Sequence, residues 1–543
     1  MTRAPGRITA FTMVVLLTGM LSNAPAAMAV DPPSIDPALV PSDNVPGPEQ
    51  PMRQSNICAR TVTLAEPNVG LPAPGFSMLD ISRAWQYSTG NGVSVAVIDT
   101  GVTPSARLPA VPGGDYIMGG DGLSDCDAHG TVVASLIAAA PSGTPMPAPM
   151  PPTPAYPPPA GGAPVSRAPA PPGAPEPQPG PSSAGPVQGE PASRQPGPGA
   201  PGIDQPSSGT GDPDGVETPE VPPPTPGAPD GVAGVAPHAT VISIRQSSRA
   251  FEPESPGPGD GDTRRKAGTI STLARAIVHA ADLGAKVINV SVTACVSAAD
   301  PLDQRAIGAA VWYAATVRDA VVVAAAGNEG EDGCVQNPAF DPLDTHDPRD
   351  WRHVKTVSSP SWFDDYVLSV GAVDTTGAPL NKSLAGPWVA VAAPGVAIMG
   401  LSAQTGGPAN AYPAVRPGER NIPFWGTSFS AAYVSGIAAL VRAKYPQLSA
   451  HQVINRILQT AHNPPRGVDN QVGFGVVDPV AALTFDVPLG DRVDPDAETR
   501  VLAPPPVPAP PDHRARIMAV AFAGVVATAV LATGLVGRAR RAR

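Results

Sequence analysis

An α/β fold built on a mainly parallel sheet is what this sequence predicts, and three observations carry the prediction. Almost wholly apolar, β-branched runs recur at 93–98, 240–244, 287–292, 321–326, 367–373 and 389–392, as expected of strands buried on both faces of a parallel sheet. Helical stretches stand between several of them. One, 268–283, sets Ile270, Leu273, Ala274, Ile277 and Val278 on a single face, the spacing of an amphipathic helix. Strand and helix signals therefore alternate, and right-handed crossovers follow.

The elements come in the following order along the 543 residues. Arg3 and Arg7, an apolar stretch at 8–21 and the small-residue pattern Ala27-Met28-Ala29 read as a secretory signal peptide over 1–29. Residues 30–75 are polar and dotted with proline, and are expected to form an extended arm. Globular signals begin at Phe76, with a helical stretch at 78–85 before the first strand and another at 306–317. Residues 141–230 break the pattern. They hold 31 prolines and one aromatic residue, Tyr156, too little apolar bulk to offset backbone entropy, so this insertion is expected to be disordered. Closing a loop of that length costs only about 2–3 kcal/mol more than closing a short one, so it fits inside one domain, 76–489. A linker at 490–513 leads to 517–536, twenty residues without a charge, enough to cross about 30 Å of hydrocarbon as a transmembrane helix. Arg538, Arg540, Arg541 and Arg543 follow and place the 537–543 tail in the cytoplasm. A single-pass protein of the cell membrane is expected, with its bulk outside the cytoplasm in the cell envelope.

Charge and cysteine usage exclude other classes. Lys and Arg number 35 against 46 Asp and Glu, a net charge of −11 without a long basic run, which argues against nucleic acid as a partner. The cysteines, Cys58, Cys126, Cys295 and Cys334, form no Cys-x-x-Cys pair, which argues against a thiolate zinc site and for disulfides in an oxidising compartment. Cys58 in the arm is expected to pair with Cys126, three residues before His129. Cys295 and Cys334 follow two strands joined by one crossover and are expected to pair at the same sheet edge. Two other connectivities exist. Asp364 and Asp365 lack a convincing acidic ligand spacing, and neither a metal nor a cofactor is expected.

Three motifs stand at the ends of predicted elements. Asp99 follows the buried run 93–98, His129 lies in Asp127-Ala128-His129-Gly130-Thr131 ahead of a helical run, and Ser428 lies in Gly426-Thr427-Ser428-Phe429-Ser430 ahead of another. A hydroxyl needs a base to take its proton as it attacks, and the base needs an anion to fix its tautomer. Ser428, His129 and Asp99 supply those roles. A tetrahedral oxyanion also needs donors, and Asn328, at the exit of the run 321–326, is the candidate beside the Ser428 N–H.

These blocks, with Gly234-Val235-Ala236-Pro237, Val287-Ile288-Asn289-Val290-Ser291 and Val391-Ala392-Ala393-Pro394-Gly395, resemble those of subtilisin-type serine proteases. With the signal peptide, arm and anchor added, the chain most resembles the mycosins, membrane-anchored subtilases attached to type VII secretion systems. The resemblance implies a subtilisin-like three-layer fold, endopeptidase activity on protein or peptide substrates through an acyl-enzyme, and the secretion membrane complex as partner. It also implies substrate contacts at Ser291, Val292, Thr293, Ala325, Ala326 and Gly327. This chain departs from the usual subtilase pattern in two places. Phe429 and Ala432 stand where subtilases commonly have Met and Pro, and Val292-Thr293-Ala294 replaces a glycine-rich edge. Bulk there predicts a preference for small side chains on the acyl side of the cut. An aspartic protease is excluded because Asp-Thr-Gly occurs once at Asp99 and that chemistry needs two such carboxylates. A docking subunit whose proteolysis is dispensable is the competing reading.

Overall fold

The computed structural model describes residues 33–492 apart from 144, 153–217, 226, 256–266, 300–301, 332, 341–348, 350, 417 and 466. The expected signal peptide, most of the insertion and the apolar segment 517–536 lie outside the described residues. Among the described residues no helix is long and apolar enough to cross a membrane.

Seven strands make one sheet: β1 (Ser94–Asp99), β2 (Ala110–Asp115), β3 (Thr240–Arg245), β4 (Val287–Val290), β5 (Val321–Ala325), β6 (Val367–Val373) and β7 (Val391–Pro394). They lie in the order β7-β6-β5-β4-β1-β3-β2, all parallel. From β1 the chain moves outward to β2 and β3, then crosses back to β4 on the other side. In α/β sheets the crevice beyond the carboxyl ends at such a reversal is where ligands bind. Asp99 closes β1 at that reversal.

Val95 and Val97 of β1 join a buried cluster with Val132 and Val133 of α1 (His129–Ala138) and Ala431 and Val434 of α4 (Thr427–Lys444). The alternate residues Ala96 and Ile98 are equally buried and point to the opposite face. There α2 (Ile270–Asp282) packs on the sheet and on α3 (Arg305–Trp312). Helices on both faces explain why the strands read as continuous apolar runs rather than alternating ones. The stripe expected on α2 is the buried one, and Thr269 caps it by a reciprocal exchange with Thr272.

The structure corrects several boundaries. The sequence reading missed β2 because Pro112, Gly113 and Gly114 disguise a half-exposed edge strand. The stretch 78–85 is two short helices, Pro74–Met78 and Ile81–Ala84, parted by Asp80 in the left-handed region (φ 48°). The stretch 306–317 is α3 followed by a π turn, Tyr313–Val317. β7 starts at Val391, and β4 stops at Val290. After 291–293, Ala294–Ser297 pairs antiparallel with Thr356–Ser359.

The arm belongs to the folded body, which therefore begins before Phe76. Thr63, Leu64, Val69 and Ala73 are buried. Met52–Gln54 pairs with Phe251–Pro253, Asp43 meets His279 at 2.7 Å, and Asn410 Oδ1 accepts the Leu64 N–H at 2.7 Å. The insertion also has an ordered end: the Val221 N–H donates to Thr63 O, and the Ala65 N–H to Pro219 O. The arm thus lies between the insertion's end and the 410–412 segment. Both expected disulfides are present, Cys58–Cys126 and Cys295–Cys334. Because Cys58–Cys126 closes a 68-residue separation, the double variant C58S/C126S is expected to lose about 4 kcal/mol in a denaturant titration. An unchanged midpoint would show that the remaining arm contacts suffice.

Candidate active site

The site is assembled where β1 ends and α1 begins. Asp99 is fully buried. Its Oδ1 accepts the Thr100 N–H at 2.6 Å and lies 2.7 Å from His129 Nδ1. His129 is the first residue of α1, in its N-terminal turn. Ala128 before it adopts φ 61°, a strained value of the kind that clusters at functional sites. Gly130 after it allows no side chain. A Cβ there would lie 2.1 Å from Gly101 O and 3.1 Å from the Asp99 side chain. The His-Gly pair therefore lets helix and strand exit approach closely enough for imidazole and carboxylate to meet.

A second buried carboxylate fixes the same junction. Asp125 Oδ1 accepts from the Thr100 hydroxyl at 2.8 Å, and Oδ2 accepts from the Thr131 N–H and hydroxyl at 2.8 and 2.6 Å. Thr100 Oγ1 in turn accepts the Gly130 N–H at 2.9 Å. Asp125 is thus tied to both sides of the strand–helix contact. Burial pushes its carboxyl up to about 6, against the opposing pull of the Thr131 and Thr100 hydrogen bonds. Burial also pulls His129 down. The charge and hydrogen bond of Asp99, with Asp125 behind, outweigh that and leave the imidazole above its ordinary value.

Ser428 is the second residue of α4. Its hydroxyl donates to Ser291 O at 3.1 Å, and the Ser291 hydroxyl donates to Ser428 O at 3.2 Å. Phe429 packs its ring 5.2 Å from the His129 ring, which brings the start of α4 against the imidazole. A chain of polar contacts supports this end of the helix: the Ser435 hydroxyl donates to Asn289 Oδ1 at 2.9 Å, and Asn289 Nδ2 to Ser291 Oγ at 2.8 Å.

Asn328 follows the exit of β5 and meets Thr427, the residue before Ser428. Its Oδ1 accepts from the Thr427 N–H and hydroxyl, both at 3.1 Å, and its Nδ2 donates to Glu331 Oε2 at 3.1 Å. Gly426 stands beside it at φ 133°, a conformation other residues rarely adopt, and a Cβ there would press on Asn328 Nδ2 at 3.1 Å. Cys295–Cys334 ties the turn that follows Asn328 to the strand that follows Thr293.

Of the expected substrate residues, Val292 and Thr293 are half-buried and, like Ser291, have no strand partner. Ala325 and Ala326 are different: both are buried, Ala325 O accepts from Ser361 and the Ala326 N–H donates to Val370 O. One polar group of each is thus already engaged within the fold. The Gly327 N–H likewise donates to Thr427 Oγ1. The sequence reading passed over Asp125, Asn289, Thr427 and Glu331. Asn289 did carry a signal, a polar residue inside the apolar run Val287–Val290.

Comparison with known proteins gives the family. The Subtilase family model matches residues 216–475. Mycosin-2 of Mycobacterium tuberculosis is 64% identical, with 99% of each chain covered. The crystal structure of MycP1 from Mycobacterium smegmatis superposes with a TM-score of 0.66 at 39% identity, covering 86% of this chain and 98% of that one. A chain in the structure of the periplasmic assembly from the ESX-5 inner membrane complex gives 0.66 at 46% identity, covering 89% and 100%. The chain belongs to the subtilase family of serine proteases, and within it to the mycosins.

Proposed function

We propose that this protein is an endopeptidase in which Ser428 attacks, His129 takes the proton and Asp99 orients the imidazole. The 2.7 Å contact between His129 Nδ1 and the buried Asp99 carries the reading, because it leaves Nε2 as the basic nitrogen. On attack the Ser428 hydroxyl gives up its bond to Ser291 O, passes its proton to Nε2 and forms a bond to the scissile carbonyl carbon. The oxyanion is met by the Ser428 N–H and Asn328 Nδ2. Imidazolium then protonates the leaving amine, and water, activated by the same imidazole, releases the acyl group. Substrate backbone lies along 291–293.

The position in the cell follows from the sequence. The apolar segment 517–536 anchors the chain in the cell membrane with the protease body outside, and the likeness to a chain of the ESX-5 assembly supports type VII secretion components as partners. That same likeness favours a second reading, a docking subunit whose proteolysis is dispensable.

Three outcomes are expected. Wild-type protein should label with a fluorophosphonate, and Ser428→Ala should abolish labelling and lower peptide turnover by at least about 10⁴-fold. The enzymatic reading fails if the variant is labelled equally, and secretion that survives this variant but not deletion of the chain would favour the docking subunit. Peptides with alanine on the acyl side of the cut should be cleaved at least about tenfold faster than those with phenylalanine, since differences of side-chain size in a pocket are worth 10- to 200-fold. Comparable rates would contradict it. The pH profile supplies the third. Catalysis needs neutral imidazole, so kcat/KM falls as pH drops through the raised His129 value, above 6.5. The charged groups acting on His129 are Asp99, Asp125 and Arg249. Asp125→Asn removes a negative charge that favours imidazolium, so the acid midpoint should move to lower pH. A midpoint that stays or rises would exclude this influence.

A further inference from the structure

The oxyanion donor carries an acidic partner of its own. Asn328 Nδ2 donates to Glu331 Oε2 at 3.1 Å, and the half-buried Glu331 is held in place by the backbone. Its N–H donates to Asn328 O, and its carbonyl accepts the Cys334 N–H at 2.8 Å. The Gly330 N–H donates to Cys334 O, closing the turn, and Cys334 is bonded to Cys295. A carboxylate is therefore fixed against the nitrogen that has to stabilise negative charge on the substrate. The other end of the amide is anchored as well, since Oδ1 accepts two hydrogen bonds from Thr427.

We infer that Glu331 is a positioning residue that holds the Asn328 amide in a resting state and damps hydrolysis. The inference rests on the proposed role of Asn328 in the oxyanion hole. The physical argument has two parts. One of the two Nδ2 hydrogens is engaged by a charged acceptor, and hydrogen bonds to ionised groups are about twice as strong as neutral ones. The same negative charge, held against the donor nitrogen, opposes the developing oxyanion. Substrate thus gains from Asn328 only what remains after competition with Glu331. Because both partners belong to one disulfide-closed turn, the competition is built into the fold rather than supplied by a chance surface encounter.

The test compares Glu331→Gln, which removes the charge and keeps an acceptor, with Glu331→Ala, which removes both. For a peptide substrate kcat is expected to rise roughly three- to tenfold, with Ala at the upper end and KM nearly unchanged. Affinity for a peptidyl boronate, which places a negative oxygen in the hole, should rise by a similar factor. In an Asn328→Ala background the gain should be clearly smaller, since only the charge effect then remains. An unchanged or reduced kcat in variants that melt like the wild type would overturn the inference, as would an equal gain in the Asn328→Ala background. A second readout does not require turnover. The Asn328 side-chain amide proton bound to Glu331 should shift upfield in Glu331→Gln by ¹⁵N-edited NMR, and an unmoved resonance would overturn the contact itself. Wild-type protein that neither cleaves peptide nor accepts a fluorophosphonate would instead refute the hydrolase reading, with the resonance still deciding the Glu331 contact.

Discussion

Everything at the site depends on how closely α1 is pressed against the exit of β1. Gly130 sits where a Cβ would overlap Gly101 O, and that missing side chain sets the distance between the buried Asp99 and His129. The contact is enforced from both sides. Thr100 and Thr131 both reach Asp125, so neither strand nor helix can shift without breaking a buried, charge-assisted network, and such networks are costly to leave half satisfied. The strained Ala128 is the local cost of starting a helix there, and it is held by the same surroundings.

From that junction the rest of the fold reads as support. The parallel sheet brings Asp99, Ser291 and Asn328 to its carboxyl edge because β1, β4 and β5 are neighbours in space. The long buried helix α4 brings Ser428 and Thr427 to the same edge, and Phe429 packs on the imidazole. The arm then braces the outside through Cys58–Cys126, which ends three residues before His129. Protein stability and site geometry are therefore coupled, because the disulfide that ties down the arm also ties down the loop leading into α1.

Much of this was legible in the sequence, and what was not has physical causes. Buried strands between helices announce themselves as apolar β-branched runs, which is why six of the seven were visible; β2 was not, because an edge strand needs no apolar face and tolerates Pro112. The motifs around Asp99, His129 and Ser428 stood out because helix and strand ends in a parallel sheet are where polar groups face a ligand. The arm could be read only as an extended segment because it packs by backbone pairing and scattered contacts rather than by a periodic stripe. Asp125 and Glu331 were hidden for another reason: nothing in spacing says that one carboxylate is buried under two threonines and another turned onto an amide. The substrate contacts expected at Ala325 and Ala326 came from resemblance, because buried alanines carry no signal of their own in the sequence.

The contact between Asp99 and His129 is tested most directly by titrating the His129 imidazole by NMR in the wild type and in Asp99→Asn. The account predicts a midpoint above the ordinary 6.5 in the wild type and a clear fall when the carboxylate is lost, because burial then acts on the imidazole with less opposition. A wild-type midpoint at or below 6.5, unaffected by Asp99→Asn, would contradict it.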